Sequence, residues 1–164
     1  RRDLIESLRK HPLYRVLRVD KLTYAALGAT LESFANGTAE DEIPVMQMIN
    51  CPREAIKERA TIFAERITSL DLGISAAVTE GNSVIGGGSA PGVHPPTSLI
   101  ALSHDEMSAD AIESEFRKGT PPVITRIEND RVLIDLRTVA NGDEDLLLSA
   151  VAAVFSRFAG QNPA

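Results

Sequence analysis

Apolar positions along the chain follow two periodicities, and glycines and prolines mark where one gives way to the other. Leu4, Ile5 and Leu8 recur at helical spacing over residues 3 to 10, and Pro12 after His11 predicts a break, because proline cannot donate a helical N–H. Asp20 is a helix-capping residue type. Leu22, Ala25, Ala26, Ala29 and Phe34 follow it on one helical face until Asn36 and Gly37 supply a stop. Residues 38 to 44 are acidic and polar and read as a connector, after which VMQMIN forms a short helix before Pro52. Ile56, Ala60, Phe63, Ile67 and Leu70 then alternate steps of four and three, which predicts a helix from Pro52 to Leu70.

Beyond Gly73 the period changes. Ile74, Ala76 and Val78 alternate with polar or small residues through Glu80, the pattern of a half-buried strand. A Gly- and Pro-rich loop from Gly86 to Pro96 leads into SLIALS, a second strand. Ser108 is placed to cap a helix that buries Ile112 and Phe116 and stops at Lys118 and Gly119. After two prolines comes a hairpin. With Asn129 and Asp130 as a two-residue turn, Glu128 faces Arg131, and Val123, Thr125 and Ile127 pair with Leu136, Ile134 and Val132. Asp143 is placed to cap a last helix carrying Leu147, Val151, Val154 and Phe158.

This order lacks the regular alternation of a doubly wound parallel sheet. It predicts an α+β fold, a small antiparallel sheet with helices packed on one face. Residues 1–36 read as an interdomain helical segment and 37–164 as the α+β small domain. No internal repeat is evident.

Composition narrows the function classes. Hydrophobic residues make up 43% of the 164 and charged residues 24%, as expected of a folded domain. The net charge of −6 offers no uniform basic footprint, so DNA is not an expected partner and any RNA contact must be local. One cysteine, Cys51, and three histidines give neither a disulfide framework nor a zinc spacing, so a reducing compartment and no metal are expected. No stretch approaches the ~20 apolar residues of a membrane span. The start, RRDLIESLRK, lacks a signal-peptide core and a methionine, and so reads as the start of a fragment.

Several residues could carry chemistry. Arg15 and Arg18, three apart, project to one side of a helix or turn, where two guanidinium forks could grip an oxyanion; spacing alone favours a solvated face or ion pairs with Asp20 or nearby acids. Arg126 falls on the hairpin face opposite the apolar ladder. There it could bind a substrate carboxylate or pair with Asp135 or Glu128. The run Gly86 to Ser89 lacks a following GK[ST] and reads as a flexible turn. His94 reads as an exposed loop histidine, and Cys51 as a small buried or capping residue.

The runs HPLYRVLRVDKLTYAALGATLESF, GGGSAPG and PPVITRIENDRVLIDLRTV, in that order, resemble the bacterial selenocysteine synthases, the L-seryl-tRNA(Sec) selenium transferase family. The resemblance covers nearly the whole chain and is weakest at residues 38 to 55 and at the last few. Tyr14 and Gly28 depart mildly from the first motif. It implies the C-terminal small domain of a fold type I pyridoxal-phosphate enzyme whose cofactor lysine lies upstream of Arg1, so that no catalytic residue is assigned here and the fragment is expected to be inactive alone. It further implies seryl-tRNA(Sec) and selenophosphate as substrates and a homo-oligomer, beside the cytoplasmic location that the lack of a membrane span and signal core already predicts. Arg15 and Arg18 match the family's selenium-donor arginines, and Arg126 matches a hairpin arginine that orients a carboxylate or ester carbonyl. Two rivals stand beside this. One is a related pyridoxal-phosphate lyase or racemase acting on small amino or sugar acids without tRNA; the other is a non-enzymatic dimerisation module resting on the apolar faces of the two long helices.

Overall fold

The computed structural model describes residues 1–86 and 92–159, with side chains through Arg157. Gly87, Gly88 and Ser89 of the glycine run, and the Phe158 side chain, lie outside the described residues. The chain divides into two compact units, Arg1–Gln47 and Met48–Ala164.

The first unit is helical. Helix α1 (Arg2–Lys10) ends where His11 turns extended, and a 3-10 turn over Pro12–Tyr14 follows the proline break. Helix α2 (Lys21–Asn36) begins at Asp20, whose carboxylate accepts the Thr23 backbone N–H at 2.9 Å. It ends at Gly37, whose φ of 73° is the left-handed stop glycine favours. The acidic connector is more ordered than its composition predicts. It forms a helical turn, α3 (Ala39–Glu42), in which Glu42 accepts the Ser33 hydroxyl at 2.6 Å. No residue of α1 or α2 is buried, and Leu17 and Leu22 are 78% and 82% exposed.

Helix α4 (Pro44–Asn50) leads into the second unit, which opens with α5 (Arg53–Thr68). Strands β1 (Ile74–Asn82), β2 (Pro96–His104), β3 (Arg126–Glu128) and β4 (Arg131–Asp135) form one antiparallel sheet in the order β1-β2-β4-β3. Helices α6 (Ala109–Lys118) and α7 (Glu144–Ala159) join α5 on one face of it. Ile56, Ala60, Phe63 and Ile67 are buried as their spacing predicts, and Phe63 and Ile67 share a core with Ile112 and Phe116 of α6 and Val151 and Phe155 of α7. The strands contribute Ile100, Leu102, Val132 and Ile134 to that core. Each such large apolar side chain contributes roughly 1.5–3 kcal/mol when fully buried. This is the α+β arrangement with helices on one side that the patterning predicts.

The hairpin differs from expectation at one end. Ile127 opposes Val132 and Glu128 opposes Arg131, but β3 begins only at Arg126, so Val123 and Thr125 lie outside the ladder. The Val123 N–H is spent instead on the Phe116 carbonyl, 2.9 Å away at the end of α6. Leu136, expected opposite Val123, opens a 3-10 turn. Among the described residues, no helix is long and apolar enough to cross a membrane.

Candidate substrate-binding site

The turn that closes the hairpin decides which side chains meet on the sheet's other face. Asn129 and Asp130 have φ of 52° and 56°, the doubly left-handed geometry that a two-residue hairpin turn requires and that Asn and Asp tolerate. Because side chains alternate, Arg126, Arg131 and Leu133 then share the face opposite Ile127 and Val132. They border a cavity of about 390 Å³, completed by Glu80, Asn82, Glu128 and His94. Leu99 and Leu133, both almost fully buried, give it an apolar wall. Gly81 keeps that wall in place, since a Cβ there would come within 2.5 Å of a Leu99 methyl.

Arg126 donates one Nη2 hydrogen bond to the Asn82 carbonyl at 2.9 Å. It pairs with neither acid that sequence spacing offers. Asp135 is engaged elsewhere, accepting the Ser83 hydroxyl at 2.6 Å, the Thr97 hydroxyl at 3.0 Å and the Arg137 backbone N–H at 3.0 Å. Glu128 makes no ion pair with Arg126, nor with Arg131 opposite it, among the described residues. Glu80 is paired with Arg53. The cavity therefore presents two guanidinium groups without a bonded counter-ion.

Arg137 is the other arginine of this region, and nothing in its spacing singles it out. It is 6% exposed, and its guanidinium donates to the Ser83 hydroxyl at 2.9 Å and to the carbonyls of Met48 at 2.9 Å, Cys51 at 2.8 Å and Pro96 at 2.7 Å. It thus ties the segment entering α5 to the end of β1 and the start of β2. With its donors committed to protein acceptors, its role is structural. Sequence could not reveal this, because its partners are mostly carbonyls that every residue carries.

Arg15 and Arg18 belong to the first unit. Arg15 closes the 3-10 turn and Arg18 lies in the irregular link to α2; both are exposed, and neither makes a side-chain hydrogen bond or ion pair among the described residues. Asp20, the acid best placed by sequence to neutralise them, is held as the cap of α2. The Thr23 backbone N–H holds its carboxyl below the usual carboxylate range, with further help from the Leu22 N–H and the Thr23 hydroxyl. Arg15, at the end of the proline-initiated turn, and Arg18, beyond it, are left as cations without a bonded acid among the described residues. His94 is exposed, as expected, and the half-buried Cys51 contributes its carbonyl to Arg137.

The family model for "SelA: L-seryl-tRNA selenium transferase" matches residues 1–140. This chain belongs to the L-seryl-tRNA selenium transferase family. Among its relatives, the L-seryl-tRNA(Sec) selenium transferase of Alkaliphilus metalliredigens is 37% identical over 155 residues, covering 94% of this chain and 33% of the relative. That of Geobacter sulfurreducens is 35% identical over 158 residues, covering 95% and 34%. That of Aquifex aeolicus is 34% identical over 143 residues, covering 87% and 31%. The chain thus spans about a third of the length of the curated relatives it matches. Family membership places Arg15, Arg18, Arg126 and Arg131 all inside the matched region.

The pyridoxal phosphate implied by the family resemblance can be tested against the lysines present. An imine-forming lysine needs an amine shielded from water so that it can lose its proton. Lys10, Lys21 and Lys57 are exposed on helices, and Lys118 is exposed and paired with Glu115 at 3.1 Å. These residues do not fit a cofactor attachment site.

Proposed function

We propose that this chain is the C-terminal, substrate-holding portion of a cytoplasmic, homo-oligomeric enzyme that converts seryl-tRNA(Sec) to selenocysteinyl-tRNA(Sec) with selenophosphate as selenium donor. The pyridoxal phosphate and its lysine belong to the remainder of the parent protein, and this chain contributes binding groups. Residues 1–36 form the helical segment leading into the small domain, residues 37–164. Exposed apolar side chains along α1 and α2, Leu4, Leu8, Leu22 and Leu31 among them, support their being covered by other parts of the assembled parent.

The observation that carries this reading is the free state of Arg15 and Arg18 within a family-matched segment whose nearest acid is already used as a helix cap. Two guanidinium groups three residues apart in sequence can together hold a tetrahedral oxyanion by charge-assisted hydrogen bonds that one arginine alone cannot complete. Arg126, anchored on the Asn82 carbonyl with no other bonded partner among the described residues, is the group proposed to meet the 3′-terminal, aminoacylated end of the substrate.

Arg15→Ala and Arg18→Ala in the full-length enzyme test this directly. Each removes charge-assisted bonds that contribute about 1.5–3 kcal/mol, so selenium transfer at limiting selenophosphate should fall at least about tenfold per substitution. The cofactor's absorption spectrum should be unchanged. Selenium transfer at the unsubstituted rate in the double variant refutes the anion role.

A further inference from the structure

The seryl substrate implied by the proposed function has a chemical property that bears on the Arg126 cavity. Its carboxyl group is esterified to the RNA, so it offers no free carboxylate for an arginine site to neutralise. The anions nearest the reacting ester are the phosphodiesters of the RNA 3′ end. We propose that the cavity on the open face of the sheet is a nucleotide subsite in which Arg126 and Arg131 together grip one such phosphodiester. The inference rests on the reading of the substrate as an aminoacyl-tRNA.

Three features point to this ligand. Arg126 opposes Leu133 and Arg131 opposes Glu128, so the two arginines are diagonal neighbours on one face, with backbones roughly 7–8 Å apart, within reach of a single phosphate for such long side chains. Neither makes an ion pair among the described residues: Glu80 is held by Arg53, and Glu128, which opposes Arg131 in the ladder, is bonded to neither. Two facing cations repel one another unless an anion lies between them. The cavity, about 390 Å³, falls in the range of ligand pockets, ~300–1,000 Å³, and exceeds the needs of a bare oxyanion. Its apolar wall of Leu99 and Leu133 suits a sugar or base, and the exposed His94 ring at its border adds a flat, hydrogen-bonding surface of the kind that recognises unstacked nucleotides. Glu80 and Glu128 line the same cavity, so its attraction for a phosphodiester comes from the unbonded guanidinium donors rather than from net positive charge.

The test measures binding of a short single-stranded RNA carrying the tRNA 3′ end to the full-length protein, by fluorescence anisotropy over a range of salt. Arg126→Ala and Arg131→Ala should each weaken binding about tenfold, the effect of losing about 1.4 kcal/mol, and should lower the slope of log K against log salt by about 0.7. Arg131→Lys keeps the charge without the fork, so the slope should persist while affinity falls. Inorganic phosphate, measured in parallel, separates the two sources of phosphate. If Arg131→Ala weakens phosphate binding but leaves RNA affinity and slope intact, the site takes a free oxyanion and the proposal is overturned. An equal loss in Arg157→Ala, on α7 outside this cavity, would show diffuse electrostatics and overturn it too. Because binding is read without turnover, the outcomes remain separable. A full-length protein that binds no RNA sinks the tRNA reading itself, whereas RNA binding indifferent to Arg131 sinks only the subsite.

Discussion

Replacing Arg137 with alanine should destabilise the second unit more than any surface substitution, and the expected size follows from its bonds. Four contacts of 2.7–2.9 Å, to the Ser83 hydroxyl and the carbonyls of Met48, Cys51 and Pro96, are lost together. A hydrogen bond to a charged group contributes about 1.5–3 kcal/mol, but simple addition overstates the loss. Removing the guanidinium also removes the cost of burying its charge, and some freed carbonyls regain water. A net loss of about 3 kcal/mol is expected, a large share of a typical domain stability of ~5–15 kcal/mol. Urea unfolding of the chain, followed by far-ultraviolet circular dichroism, should show the midpoint falling by roughly 1–3 M at an unchanged slope of ~1–3 kcal/mol/M. Hydrogen exchange offers a local check. The Ser83 N–H, bonded to the Pro95 carbonyl at 2.8 Å, should lose protection first, because Arg137 holds the strand ends on either side. Arg137→Lys, with one ammonium in place of the fork, should lose about half as much. A destabilisation below about 1 kcal/mol in Arg137→Ala, with Ser83 still protected, would falsify the view that this guanidinium holds the two strand ends to the α5 entry.

Two further outcomes test the fold. Phe63→Ala, at a fully buried core position under the sheet, should cost about 3–5 kcal/mol in urea unfolding, whereas Ile62→Ala, on the exposed side of the same helix, should cost well under that. The Asp20 carboxyl sits below its unfolded value because the Thr23 N–H binds its charged form. Its contribution to α2 is therefore present above the unfolded carboxylate pKa and lost as pH falls through the lower folded pKa. The Thr23 amide resonance should report that loss on acidification, and Asp20→Ala should abolish the titration; a Thr23 resonance indifferent to pH in the parent chain would exclude the cap.

Legibility in the sequence tracked how local the cause was. Asp20 capping and Gly37 termination of α2 depend on residues within one turn and are readable from the chain, as is Ser108 capping of α6, where its hydroxyl accepts the Ala111 N–H at 3.3 Å. The core stripe of α5 and the Asn129–Asp130 turn are equally local patterns. Local order failed where a distant group competed. Val123 fits a strand by alternation, yet its N–H bonds the end of α6, and the acidic connector gains order through the Ser33 hydroxyl on Glu42.

For the candidate site, sequence by itself determined the parity. Once the turn is two residues long, Arg126 and Arg131 must share a face, although Arg131 attracts no notice until that consequence is drawn. The family resemblance singled out Arg15 and Arg18, whose spacing by itself favoured a solvated face. Only tertiary structure decided which arginines have donors to offer. Ser83 and Thr97 take up Asp135, leaving Arg126 only the Asn82 carbonyl as a bonded partner among the described residues, while a set of converging carbonyls consumes Arg137. The physical reason is that periodicity records which face a side chain occupies, whereas the saturation of a guanidinium depends on backbone acceptors brought together by packing, and carbonyls leave no trace in residue type.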